Sequence, residues 1–95
     1  DPIPAERAYH LGLVSRLVAP GEAMNEARKL AAQIATSAPL AVYASRQVVL
    51  AAAYQPDDEL KKLTNTLFAQ VMSSSDTKEG LTAFIEKRTP NWTGK

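Results

Sequence analysis

The sequence predicts an all-α fold of four to five helices with one short extended segment. Three observations carry that expectation. Apolar residues recur at spacings of three and four along the middle and end of the chain. Prolines and glycines sit where short helices would start and stop. Acidic residues gather where helices should begin, opposite the positive end of the helix dipole.

Pro2 and Pro4 hold the first residues extended, and a short helix then runs from about Pro4 to His10. Gly12 follows it as a left-handed stop. Leu13 to Val18 reads as a short strand or extended connector, closed by the turn signal Pro20-Gly21. A second helix is expected from Glu22 to Thr36, with Met24, Ala27, Ala31, Ile34 and Ala35 as its apolar face. Glu26, Arg28, Lys29 and Gln33 take the other side.

Ser37 fits as the N-cap of a third helix, with Pro39 in its first turn. From Leu40 to Tyr54 only Ser45, Arg46 and Gln47 are distinctly polar, so this helix expects cover on several sides. A fourth helix begins near Pro56, with Asp57, Asp58 and Glu59 in its first turn. Leu60, Leu63, Leu67 and Val71 make its stripe, flanked by Phe68 and Met72. The triplet Ser73-Ser74-Ser75 interrupts the pattern. Asp76 with Glu79 three residues on then resembles a capping box, opening a last helix from about Thr77 to Arg88. That helix should bury Leu81, Phe84 and Ile85, and Pro90 stops it.

Composition narrows the function. The 95 residues make one domain at most, or a piece of a larger one. Eleven basic against ten acidic residues leave no electrostatic footprint for nucleic acid or an anionic membrane. The absence of cysteine excludes disulfides and thiolate chemistry, and a lone histidine argues against a metal centre. No apolar run approaches the ~20 residues of a membrane span. The chain opens on Asp1-Pro2 with no signal-peptide pattern and no initiating Met. These features read as a cytoplasmic unit, processed or excised.

Few residues suggest chemistry on their own. His10 has no partner at ligand spacing, and the contiguous acids Asp57 to Glu59 point in different directions around a helix, which suits the dipole better than a cation. Glu79 and Glu86 share a helix face about 10 Å apart, too far to work on one atom. Lys87-Arg88 complements the negative end of the last helix. The dipole accounts for both cations; the less favoured reading is a lysine that meets a phosphate, with Phe84 one turn earlier as an apolar wall.

Asp76, Glu79, Gly80, Ala83, Phe84, Glu86, Lys87, Arg88, Pro90 and Trp92 occupy the fixed places of D-x-x-E-G-x-x-A-F-x-E-K-R-x-P-x-W. In this the chain resembles the C-terminal signature of the enoyl-CoA hydratase/isomerase (crotonase) family. Asp1, Ile3, Ala5, Ala8 and Gly12-Leu13-Val14 fit the family's D-x-I-x-A-x-x-A-x-x-x-G-L-V. Leu30-Ala31, Ile34-Ala35 and Ala38-Pro39 fit L-A-x-x-I-A-x-x-[AS]-P. The three blocks follow family order, so the resemblance covers the whole chain.

The resemblance implies the C-terminal helical, oligomerising part of an α/β parent, with residues 1–95 as one helical subdomain. The oxyanion hole and the acidic catalytic residues of similar proteins lie in an upstream spiral core, so no catalytic residue is carried over. The residues matching Phe84 and Lys87 reach an acyl-CoA held by a neighbouring subunit. Phe84 would line the acyl pocket and Lys87 would meet the CoA phosphate. The implied parent is a trimer or a dimer of trimers that hydrates 2-enoyl-CoA in fatty acid β-oxidation and needs no cofactor or metal. The 95-residue chain alone is expected to be inactive. The alternatives are an isomerase or another crotonase-family activity in the parent, or a helical module that only assembles. Gly80 would then mark a close approach between helices.

Overall fold

A computed structural model describes residues 1–95 as five helices and no strand: α1 Ala5–His10, α2 Ala23–Ala35, α3 Pro39–Ala51, α4 Asp57–Met72 and α5 Ser75–Glu86. The chain divides into two compact units, residues 1–32 and 33–95.

In the first unit, Pro4 is the extended N-cap of α1 and Glu6 lies in its first turn. Gly12, at φ 73°, ends the helix: its N–H donates to Tyr9 and the Leu13 N–H donates to Ala8. This paired closure uses the freedom that glycine has at positive φ. Residues 13–19 form bends and irregular backbone instead of the strand considered from sequence. A strand requires a ladder partner, and no second extended segment supplies one. The connector borders a shallow apolar cleft with α2, lined by Leu13, Val14, Val18, Ala23, Ala27 and Leu30. Pro20-Gly21 makes the turn, with the Glu22 N–H donating to Ala19 at 3.0 Å.

The expected apolar face of α2 is not buried: Met24 and Ile34 stand exposed, and no residue of the helix is buried. Glu26, assigned to the wet side, is the better covered and pairs with Arg16.

In the second unit α3 packs on α4, and α4 on α5. The N-cap of α3 is Ala38, not Ser37, because Pro39 takes the first helical position and fixes the cap one residue before it. The helix also stops at Ala51, short of the expected Tyr54. The α4 stripe is as expected, with Leu67 buried and Leu60, Leu63 and Val71 partly covered. Outward, α3 leaves Tyr43 and Leu50 bare, Val49 is exposed at the edge facing α4, and Tyr54 beyond the helix is 91% exposed. So many exposed apolar side chains on one helix are unusual for a finished surface.

The α5 boundaries differ most from expectation. Ser74 is the N-cap, its Oγ accepting from the Thr77 N–H at 3.2 Å. Asp76, read as the cap, lies inside the first turn and is 2% exposed. The serine triplet therefore divides its labour: Ser73 closes α4, Ser74 opens α5 and Ser75 is its first residue. Leu81, Phe84 and Ile85, expected inside, are all exposed, whereas Ala83 is 1% exposed. The inner face of α5 is thus made by its small and acidic residues, against which the terminal tail folds back.

Candidate functional site

The tail after α5 is held by the carboxylates of that helix. Asp76 accepts from the Thr93 N–H at 2.7 Å, the Thr93 hydroxyl at 2.9 Å and the Gly94 N–H at 2.9 Å. The Thr93 amide, followed by Gly94 and the Thr93 hydroxyl, holds the Asp76 carboxyl below its ordinary range, against desolvation and the charge of Glu79. Gly94 sits at φ 74°, which lets successive N–H groups converge on one carboxylate. Trp92 closes the tail on the other side, its indole N–H donating to the Thr36 carbonyl at 2.9 Å. Its ring lies against Gly80, so the close approach at this glycine is made by an indole and not by another helix.

Glu79 and Glu86 are both committed to Arg88. The guanidinium grips Glu79 through Nη1 at 2.6 Å and Nη2 at 3.0 Å, and donates from Nε to Glu86 at 2.6 Å. The Asn91 N–H also donates to Glu79, at 2.7 Å. Hydrogen bonding by Arg88 first, and by Asn91 second, draws the Glu79 pKa down to about 2. The same carboxylates push Arg88 further up. A carboxylate so firmly ionised does not serve as a general base or acid near neutral pH. Glu86 pairs with Arg88 and not with its sequence neighbour Lys87.

Lys87 follows the end of α5 and is the one non-glycine residue at positive φ, with φ 54° and ψ 41°. The expected helix to Arg88 therefore stops at Glu86. The Lys87 N–H donates to Phe84 at 3.3 Å and the Arg88 N–H donates to Ala83 at 3.0 Å, closing the helix as Gly12 closes α1. A side chain at this backbone position costs roughly 1–2 kcal/mol over the right-handed form. Lys87 is exposed and forms no ion pair. Phe84, three residues before it on the last turn, is 83% exposed.

The two site residues expected from sequence thus stand near one another in the chain, without partners in it. Neither lines the apolar groove of about 430 Å³ between α3 and α4, which is bounded by Ala44, Val48, Val49, Leu67, Phe68 and Val71. His10 stays on the surface with Nδ1 2.7 Å from the Glu6 carbonyl, and no cluster of three potential metal ligands forms. The roles of Asp76 and Trp92 as tail clasps were not read from the sequence. The late glycine in Trp92-Thr93-Gly94 was the available signal for a turn presenting N–H groups.

The geometry sorts the C-terminal motif. Asp76, Glu79, Gly80, Ala83, Arg88 and Trp92 are consumed in holding helix and tail together, and Phe84 and Lys87 are left over. The profile of the enoyl-CoA hydratase/isomerase family matches residues 1–95. A carnitinyl-CoA dehydratase of Proteus mirabilis is 40% identical, over 96% of this chain and 36% of its own length. An enoyl-CoA hydratase of Mycobacterium tuberculosis superposes on the whole chain with TM-score 0.94 and 40% identity, across 38% of that protein. An enoyl-CoA hydratase of Mycobacterium marinum does so with TM-score 0.93 and 38% identity, again across 38% of its chain. The chain spans little more than a third of the length of these relatives, and its helices match the corresponding part of their fold. The chain belongs to the enoyl-CoA hydratase/isomerase family.

Proposed function

We propose that residues 1–95 form the C-terminal helical subdomain of an enzyme acting on acyl-CoA thioesters, and that Phe84 and Lys87 are its contacts with the substrate of a neighbouring subunit. The observation that carries this reading is the pair of side chains with no task inside the chain. A phenylalanine 83% exposed offers an apolar wall to an acyl group. An unpaired ammonium, kept where glycine would cost less, offers a point charge to a phosphate.

The reaction we assign to the complete enzyme is addition of water across the 2,3-double bond of an enoyl-CoA, in fatty acid β-oxidation. Water supplies a hydroxyl to one carbon and a proton to the other, through a thioester enolate held by backbone N–H groups outside this chain. Relatives named as hydratases and as a dehydratase support this choice, since the two are one reaction run in opposite directions. We place the complete enzyme in the cytoplasm as a trimer or a dimer of trimers; the bare Tyr43 and Leu50 of α3 support a covering partner for this helix outside residues 1–95. Alone, the chain is inactive, and turnover of crotonyl-CoA by the purified 95 residues would contradict that.

The test of the site is Lys87→Ala in the complete enzyme. It should weaken CoA esters at least tenfold, the scale of a lost charge-assisted contact, while sparing esters of dephospho-CoA. Equal losses would remove Lys87 from recognition of the 3′-phosphate, the group that dephospho-CoA lacks. The same exposed α3 face also favours a second reading, a module that only assembles. Oligomers by light scattering, with no CoA-ester binding by the complete protein, would establish that reading instead.

A further inference from the structure

We propose that Arg88 is a positioning residue for CoA recognition: it holds Lys87 in its left-handed conformation and occupies the carboxylates that would otherwise capture the lysine ammonium. This inference rests on the reading of Lys87 as the phosphate contact.

Arg88 is fastened at every level to the turn that Lys87 occupies. Its backbone N–H reaches back over the turn to Ala83 at 3.0 Å. Its Nε donates to Glu86 at 2.6 Å, so the residues on either side of Lys87 are bonded to each other. Its two Nη atoms grip Glu79, which in turn accepts from the Asn91 N–H. Lys87 is thus the middle of a closed bridge, at a φ of 54° that side-chain-bearing residues rarely hold.

Two consequences follow from removing the guanidinium. The bridge opens, and Lys87 is free to continue α5 in the right-handed form, which redirects its side chain. Glu79 and Glu86 also lose their cation, and Glu86, adjacent in sequence, becomes a competitor with phosphate for the ammonium. Both effects act through Lys87 and neither requires Arg88 to touch the ligand. Lysine is a poor replacement, because a single ammonium cannot reproduce the forked grip.

The experiment measures, in the complete enzyme, the selectivity for a CoA ester over the same ester of dephospho-CoA, as a ratio of kcat/KM values. Arg88→Gln should lower that ratio on the order of fivefold, a coupling typical of groups in one network. In a Lys87→Ala background the same substitution should change it less than about twofold. Arg88→Lys should retain part of the selectivity, and it carries the same comparison should Arg88→Gln fail to fold. Equal loss for both esters would reduce Arg88 to a tail clasp and overturn the inference. An equal drop in ratio in both backgrounds would overturn it differently, by making Arg88 a direct ligand contact. If Lys87→Ala alone leaves the ratio unchanged, the phosphate reading of Lys87 falls and the inference with it. A changed ratio there, with none on Arg88→Gln, removes the inference alone.

Discussion

The indole of Trp92 lies against the backbone of Gly80: a Cβ built on Gly80 would meet Cη2 at 3.2 Å and Cζ3 at 3.4 Å. Gly80 sits inside α5, where glycine ordinarily costs about 1 kcal/mol relative to alanine. The ring cannot retreat freely, because its N–H is bonded to the Thr36 carbonyl. Gly80→Ala should therefore fail to gain the helix-propensity benefit and should destabilise by about 1 kcal/mol, as a mild overpacking does. In a Trp92→Leu background the sign should reverse. Urea unfolding of the four variants checks this.

Asp76 ties the tail to the first turn of α5 through three hydrogen bonds. Asp76→Asn replaces an acceptor by an amide donor, leaving an N–H of Thr93 or Gly94 facing another donor. Amide exchange at Thr93 and Gly94 should accelerate roughly tenfold, while exchange in the middle of α4 stays unchanged. Unaltered exchange at both residues would mean the clasp does not restrain the tail.

Acid should loosen the same region. The Glu79 carboxyl titrates at about 2 in the folded chain against an ordinary 4.5, and Asp76 is also lowered. Groups depressed by folding contribute stability that is fully present above their unfolded values. Their contribution is accordingly complete above about pH 5 and lost as pH falls from 4.5 through about 2. Glu79→Gln should flatten the fall in stability across that window, as followed by unfolding at a series of pH values. An unchanged acid limb would remove Glu79 from the linkage.

Lys87→Gly should stabilise the chain by about 1 kcal/mol, because glycine holds the left-handed conformation without a Cβ penalty. The same substitution should abolish selectivity for phosphorylated CoA esters. A gain in stability with a loss of function is the pattern of a residue retained for its side chain. Loss of stability on Lys87→Gly would show that the lysine stem packs on the chain.

Much of this was legible from the residues, and the failures share a cause. The α4 stripe from Leu60 to Val71, the stop at Gly12 and the helix order all follow from local periodicity and turn chemistry, whereas α5 ends at left-handed Lys87 before Pro90 can act. Leu81, Phe84 and Ile85 were misplaced inside because an apolar residue at helical spacing is ordinarily turned toward a core. The outer residues of α5 have no cover within this chain. Asp76 was misread as a cap because its partners Thr93 and Gly94 lie 17 and 18 residues away. Pairings over such distances leave no periodic trace. The proposed roles of Phe84 and Lys87 rest on the family motif, since nothing in their spacing separates a ligand contact from an ordinary helix end.

Photoaffinity labelling of the complete enzyme tests most directly whether the last turn of α5, with Phe84, meets the acyl group of the substrate. An acyl-CoA carrying a diazirine at the end of its acyl chain should label the tryptic peptide Glu79–Lys87, and excess unlabelled ester should suppress the labelling. A saturable label elsewhere, with none in Glu79–Lys87, would contradict the placement of Phe84 at the acyl pocket.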